Sequence, residues 1–86
     1  MESYKFYTYI LKSVKSGKHY IGHTANLSER LQRHNSGRNR STRANAPWEI
    51  IYFEKFNTKS EAFNREMEIK KYKSGIKFKK LFGSVA

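Results

Sequence analysis

The sequence predicts an α+β fold: a three-stranded antiparallel sheet flanked by helices, in the order β-β-α-β-α, with a short C-terminal helix after them. Three observations predict it. Two β-branched and aromatic segments near the N-terminus flank a glycine turn. A third such segment begins at Trp48. Two other stretches open on helix-capping residues, one on each side of that third segment. At 86 residues the chain has room for one domain, spanning 1–86, and too little for two.

Phe6-Tyr7-Thr8-Tyr9-Ile10-Leu11 is apolar on both faces, as a central strand is. Ser16-Gly17 marks a turn, and His19-Tyr20-Ile21-Gly22-His23 returns as the second strand of a hairpin. Asn26 is a good N-cap, with Glu29 three residues on as in a capping box. In the helix that follows, Leu27 and Leu31 share one face and Arg30 and His34 a neighbouring one. Gly37 should end it. Residues 38–47 lack apolar periodicity and read as a loop. In the third strand, 48–54, Trp48, Ile50 and Tyr52 should alternate with Ile51 and Phe53. Large side chains on both faces predict that helices cover much of the sheet and bury Trp48. The alternative is one open face lined with aromatics for base stacking. Thr58 and Glu61 form a second capping-box pattern, opening a helix to about Tyr72. The Lys-rich tail offers Ile76, Phe78, Leu81 and Phe82 as packing anchors.

With 18 Lys+Arg against 7 Asp+Glu, the net charge is +11. So large a charge on so small a domain attracts polyanions, nucleic acid first. It is also clustered: Arg30, Arg33, Arg38, Arg40 and Arg43 follow one another with no acid after Glu29. No apolar run approaches the ~18 residues a membrane span needs, and the N-terminus lacks a signal peptide's apolar stretch. A cytoplasmic monomer that binds nucleic acid and no membrane is expected. The absence of cysteine excludes disulfides and thiolate metal sites.

Several chemistries are excluded. With no Asp in the chain there is no Ser/His/Asp triad, and no phosphate-cradling glycine loop is present. His19 and His23 can share a strand face, but two histidines are weak evidence for zinc. Glu66 is the anomaly. It falls within an apolar stripe of Ala62, Phe63, Met67, Ile69 and Tyr72. A carboxylate facing a core needs a cationic partner or a metal, and the sequence leaves both open.

Tyr7-Thr8-Tyr9, then Tyr20-Ile21-Gly22, then a helix with Arg30, then Glu66, resembles the GIY-YIG nuclease superfamily, which includes the nuclease subunit of bacterial excision repair. Small standalone bacterial members resemble the chain most, sharing stretches like Tyr20-Ile21-Gly22-His23-Thr24 and Ser41-Thr42-Arg43 leading into Pro47-Trp48. The resemblance runs from about Phe6 to Tyr72. It implies an endonuclease that hydrolyses nucleic acid, DNA rather than RNA, in repair or recombination, with Mg²⁺ or Mn²⁺. It implies that Tyr9 or Tyr20 helps activate water and that Arg30 stabilises the phosphate. His34 assists proton transfer or phosphate contact, and Glu66 is the metal ligand. His23 stands where excision-repair members carry a lysine near the site, and joins Arg30, Arg33, Arg38, Arg40 and Arg43 as a nucleic-acid contact. The chain departs from the pattern at Tyr7 and Thr8, which replace the glycine and isoleucine of the first motif, and at Phe78, near a position that is polar in excision-repair members. The rival reading is a non-catalytic, basic nucleic-acid-binding module that keeps the fold.

Overall fold

The computed structural model describes residues 4–72 and 75–81. The elements are β1 (Phe6–Ser13), β2 (His19–Thr24), α1 (Leu27–Asn35), a single 3₁₀ turn (Arg43–Asn45), β3 (Trp48–Phe56), α2 (Lys59–Lys70) and α3 (Ile76–Leu81). The sheet is antiparallel in the order β2-β1-β3, so β1 is central, as its two apolar faces require. Among the described residues no helix is long and apolar enough to cross a membrane.

Local chemistry explains the boundaries. Gly17 takes a φ of +79° in the hairpin loop. The Ser13 hydroxyl accepts from Lys15 N and Ser16 N and donates to the Asn45 carbonyl, which ties this loop to the 3₁₀ turn. Asn26 caps α1 by accepting from Glu29 N at 3.0 Å. The capping box expected there is only half made, because Glu29 reaches Arg33 at 3.6 Å instead. Gly37, with φ +83°, follows the end of α1. At α2 the box is complete, with Thr58 and Glu61 each bonding the other's backbone.

Two clusters, one on each face of the sheet, make the core. Tyr9, Leu11 and Trp48 are buried beneath Leu27 and Leu31 of α1. Ile10, Ile69 and Phe78 are buried on the other side, between the sheet and α2 with α3. The expected alternation along β3 fails. A bulge shifts the register between Ile10 and Leu11, so Leu11 faces Ile50 and Ile10 faces Tyr52. Tyr52 therefore joins Ile51 in the α2 cluster, and Phe53, opposite Tyr9, turns to the α1 face.

The stripe on α2 is also narrower than expected. Ala62, Glu66 and Ile69 are buried, but Phe63 and Met67 are nearly half exposed. The helix lies mainly over β2 and β1, and Phe63 sits against the ring of His23 on the edge strand. Ile76 is 73% exposed and anchors nothing. Phe78 and Leu81, three apart, turn inward, and Ile76, two before Phe78, points away. Phe82 lies outside the described residues.

Candidate active site

The α1 face carries most of the candidate residues. Tyr9 is 1% exposed, and its register partner on the edge strand is Gly22. A Cβ on Gly22 would stand 2.6 Å from the Tyr9 hydroxyl, so only glycine leaves room for that phenol. The Tyr9 hydroxyl lies 3.2 Å from His34 Nε2, and His34 Nδ1 lies 2.8 Å from Thr42 Oγ1. Thr42 Oγ1 donates to the Asn39 carbonyl. Its lone pair is then free to accept from His34 Nδ1–H, which leaves Nε2 to accept from Tyr9. His34 is fully buried. Burial, then the nearby Arg30 and Arg33, lower its pKa below the ordinary value, so the ring is neutral at pH 7. Tyr20, half-buried, stacks on Tyr9 at 6.4 Å, tilts over His34 at 4.8 Å and meets Trp48 edge-on at 6.3 Å. Burial pushes the Tyr9 phenol well above its usual pKa and Tyr20 adds to this, against the opposing pull of Arg30. Tyr9 is thus a firm proton donor to His34. Arg30 is half-buried, and its Nε is buried with no hydrogen-bond partner among the described residues.

Glu66 is on the other face. It is 8% exposed. One carboxylate oxygen lies 2.5 Å from His23 Nδ1 and the other 2.6 Å from Lys70 Nζ, one helical turn on. His23 pairs with Thr8 and Gly22 with Tyr9, so the two halves meet at the same level of β2, one on each side of the edge strand. His19 shares the Glu66 face but packs on Phe78, and among the described residues no cluster of three His, Cys, Asp or Glu forms. The donor chemistry still suits a hard divalent cation. A single carboxylate with hard oxygens fits an ion such as Mg²⁺ or Mn²⁺ that keeps most of its waters and takes few protein ligands. Two cationic or proton-donating groups already gather at this carboxylate, and Lys70, with a half-exposed side chain, can leave it.

The remaining arginines form a separate surface. Arg33, Arg38 and Arg40 line an open hollow of about 380 Å³ with Asn39. Arg43 is exposed nearby, its Cδ 3.8 Å from where a Cβ on Gly37 would lie. Two further residues serve the site. Thr42 is 1% exposed and holds both His34 and, through its carbonyl, the Trp48 indole N–H at 2.8 Å. Its signal was the Ser41-Thr42-Arg43 stretch. Lys70 was signalled by its spacing of four from Glu66.

Residues 5–79 match the GIY-YIG catalytic domain, and the chain belongs to that family, within the nuclease superfamily. Its relatives include a UPF0213 protein of Staphylococcus saprophyticus, 40% identical over 87% of this chain and 92% of the relative. A UPF0213 protein of Bacillus pumilus is 44% identical over 81% of this chain and 71% of the relative. The solution structure of a UPF0213 protein from Bacillus halodurans superposes with a TM-score of 0.51 at 31% identity, covering 93% of this chain and 83% of that one.

Proposed function

We propose that the chain is a divalent-metal-dependent endonuclease that hydrolyses a phosphodiester of DNA, in repair or recombination. One observation carries the reading: Tyr9, stacked on Tyr20 and close enough to Arg30 to feel its charge, pairs with Gly22 on the edge strand, next to the His23 that holds the near-buried Glu66. A phosphate lying against that edge would pass between the two halves. Arg30 holds the phosphate oxygens and offsets the charge that develops on them. Tyr20, more accessible than Tyr9, orients the attacking water and, reacting as its phenolate, accepts the water's proton. The water oxygen bonds to phosphorus as the bond to the sugar oxygen breaks, and the departing sugar oxygen takes up a proton from solvent water. Tyr9 and neutral His34 position the Tyr20 ring. Glu66 would hold Mg²⁺ or Mn²⁺ once Lys70 moves aside, and the bound ion supplies Lewis acidity at the phosphate. Arg33, Arg38, Arg40 and Arg43 bind flanking phosphates, and His23 orients Glu66 beside the strand.

A panel of labelled plasmid, duplex, single-stranded, flap and RNA substrates tests this with either ion. Cleavage of DNA that disappears in Glu66→Ala is the expected result. Wild-type protein that binds the panel but leaves all of it intact establishes the binding module instead.

A further inference from the structure

We infer that the open end of the sheet's α1 face is a stacking site for an unpaired nucleobase next to the phosphate held at Tyr20 and Arg30. The inference rests on the nuclease reading and narrows its substrate to strands with an unpaired base beside the bond.

Helix α1 covers only one end of this face, over Tyr9, Leu11 and Trp48. At the other end Phe53 is 45% exposed and meets Tyr7 edge-to-face, with ring centroids 6.1 Å apart at 79°. An open hollow of about 400 Å³ lies there, lined by Tyr7, Ala25, Asn26, Leu27, Phe53 and Lys55 among others. Tyr4, 44% exposed, lies beyond, with Lys55 Nζ 5.8 Å from its ring centroid. The hollow adjoins the candidate site. Phe53 is the register partner of Tyr9, and Tyr7 precedes Tyr9 by two on the same face, roughly 6.6 Å along the strand. That is the reach of a neighbouring nucleotide. Tyr7 also occupies the glycine position of the family's first motif, so an aromatic ring stands here in place of a bare backbone.

Charge selects the occupant. A contiguous apolar patch at the surface marks a binding site where a single exposed residue does not, and Phe53, half-buried Tyr7 and exposed Tyr4 lie together at this end. Lys55 stands at the rim, and among the described residues no acid lines the hollow. The nearby Glu54 is turned to Arg65 on the opposite side. A second copy would bring another +11 against this face. A nucleotide supplies both complements, a π-face for Phe53 and Tyr7 and a phosphate for Lys55. In an intact duplex that π-face is already stacked on its neighbours, so the base must be unpaired.

The test is fluorescence anisotropy with the full chain and no added metal, so that binding is read apart from cleavage. The probes are a fluorescein-labelled single-stranded 12-mer and the blunt duplex of the same sequence. Replacement of a stacking ring should weaken single-strand binding by about tenfold. For Phe53→Ala the loss on the single strand should therefore exceed the loss on the duplex by at least fivefold, and Phe53→Tyr, which keeps a ring, should restore it. Equal losses on both probes, or no loss on either, overturn the stacking site. So does wild-type self-association, seen by light scattering, that disappears in Phe53→Ala, since the face is then a contact between copies. A single-strand preference lost in Phe53→Ala supports the site even where the cleavage panel is negative. Cleavage with no such preference leaves the nuclease reading and removes this one.

Discussion

Glu66 shows how far one residue constrains the chemistry. Its inward position follows from its place among apolar neighbours on α2, but its partners do not, because they come from β2 and from the next turn of the helix. Removing the carboxylate leaves His23 and Lys70 without their shared acceptor. Glu66→Ala should therefore lower the unfolding free energy by about 1 kcal/mol, a buried-pair loss reduced by the exposure of Lys70. A rise in thermal stability, the result expected of a bare buried charge, would show the pairing to be energetically empty. Lys70→Ala has the opposite use. It removes the cation competing for Glu66, so Mn²⁺ binding followed by paramagnetic resonance should tighten about two- to fivefold, the scale of a part-exposed ion pair. Unchanged Mn²⁺ affinity would place the ion elsewhere. The tyrosines separate by accessibility. Tyr20→Phe should cut cleavage by ~10²-fold or more, the scale of a lost acid–base group, and Tyr9→Phe should cost less, since Tyr9 is buried behind it. The reverse order of effects would make Tyr9 the group at the water.

At the scale of elements, the loop at 38–47 does more than connect. It is docked through Thr42, whose side chain holds His34 and whose carbonyl holds Trp48. Asn35 clamps the same region by exchanging two hydrogen bonds with the backbone of Trp48. Buried Trp48 should emit at short wavelength and resist iodide quenching. The buried His34 makes this region sensitive to acid. Its folded pKa lies below the ordinary 6.5, so the unfolded chain takes up a proton that the folded chain refuses. Stability is then fully present above about 6.5, falls as pH drops through that value, and levels off below the folded pKa. The melting temperature of His34→Asn should decline less steeply than that of the wild type from pH 7 to 5, and parallel curves would mean that His34 carries no such linkage. Caps, turn glycines and apolar runs made these elements legible, because each is a local signal. The bulge in β3 and the docking of Thr42 were not legible. A bulge is a choice of register between two strands, and alternation along one strand does not contain it. Thr42 has partners six and eight residues away, on β3 and α1, that no local pattern connects to it.

For the molecule as a whole, the dominant fact is its charge, and the structure divides that charge by surface. Arg33, Arg38 and Arg40 surround a hollow beside α1, with Arg43 exposed nearby. Lys70, Lys71, Lys77, Lys79 and Lys80 lie on α2, α3 and the segment between them, on the other side of the sheet. The acids are unevenly placed as well. Glu54, Glu66 and Glu68 pair with Arg65 or Lys70 on the α2 side, so part of the positive charge there is already neutralised. On the α1 side the only ion pair among the described residues is the exposed one between Arg33 and Glu29. Arg38, Arg40 and Arg43 therefore keep their full attraction for phosphate. If all three contact duplex phosphates, replacing them with Ala should reduce the slope of log affinity against log salt by up to about 2.7, at ~0.9 for each phosphate. The fold should be unaffected, because all three side chains are exposed. Titrations of the triple variant and the wild type between 50 and 200 mM salt decide the matter. An unchanged slope would move the phosphate track to the lysine side. In that case the strand would cross β2 from the Glu66 face, and Arg30 would meet the phosphate from the far side of its path.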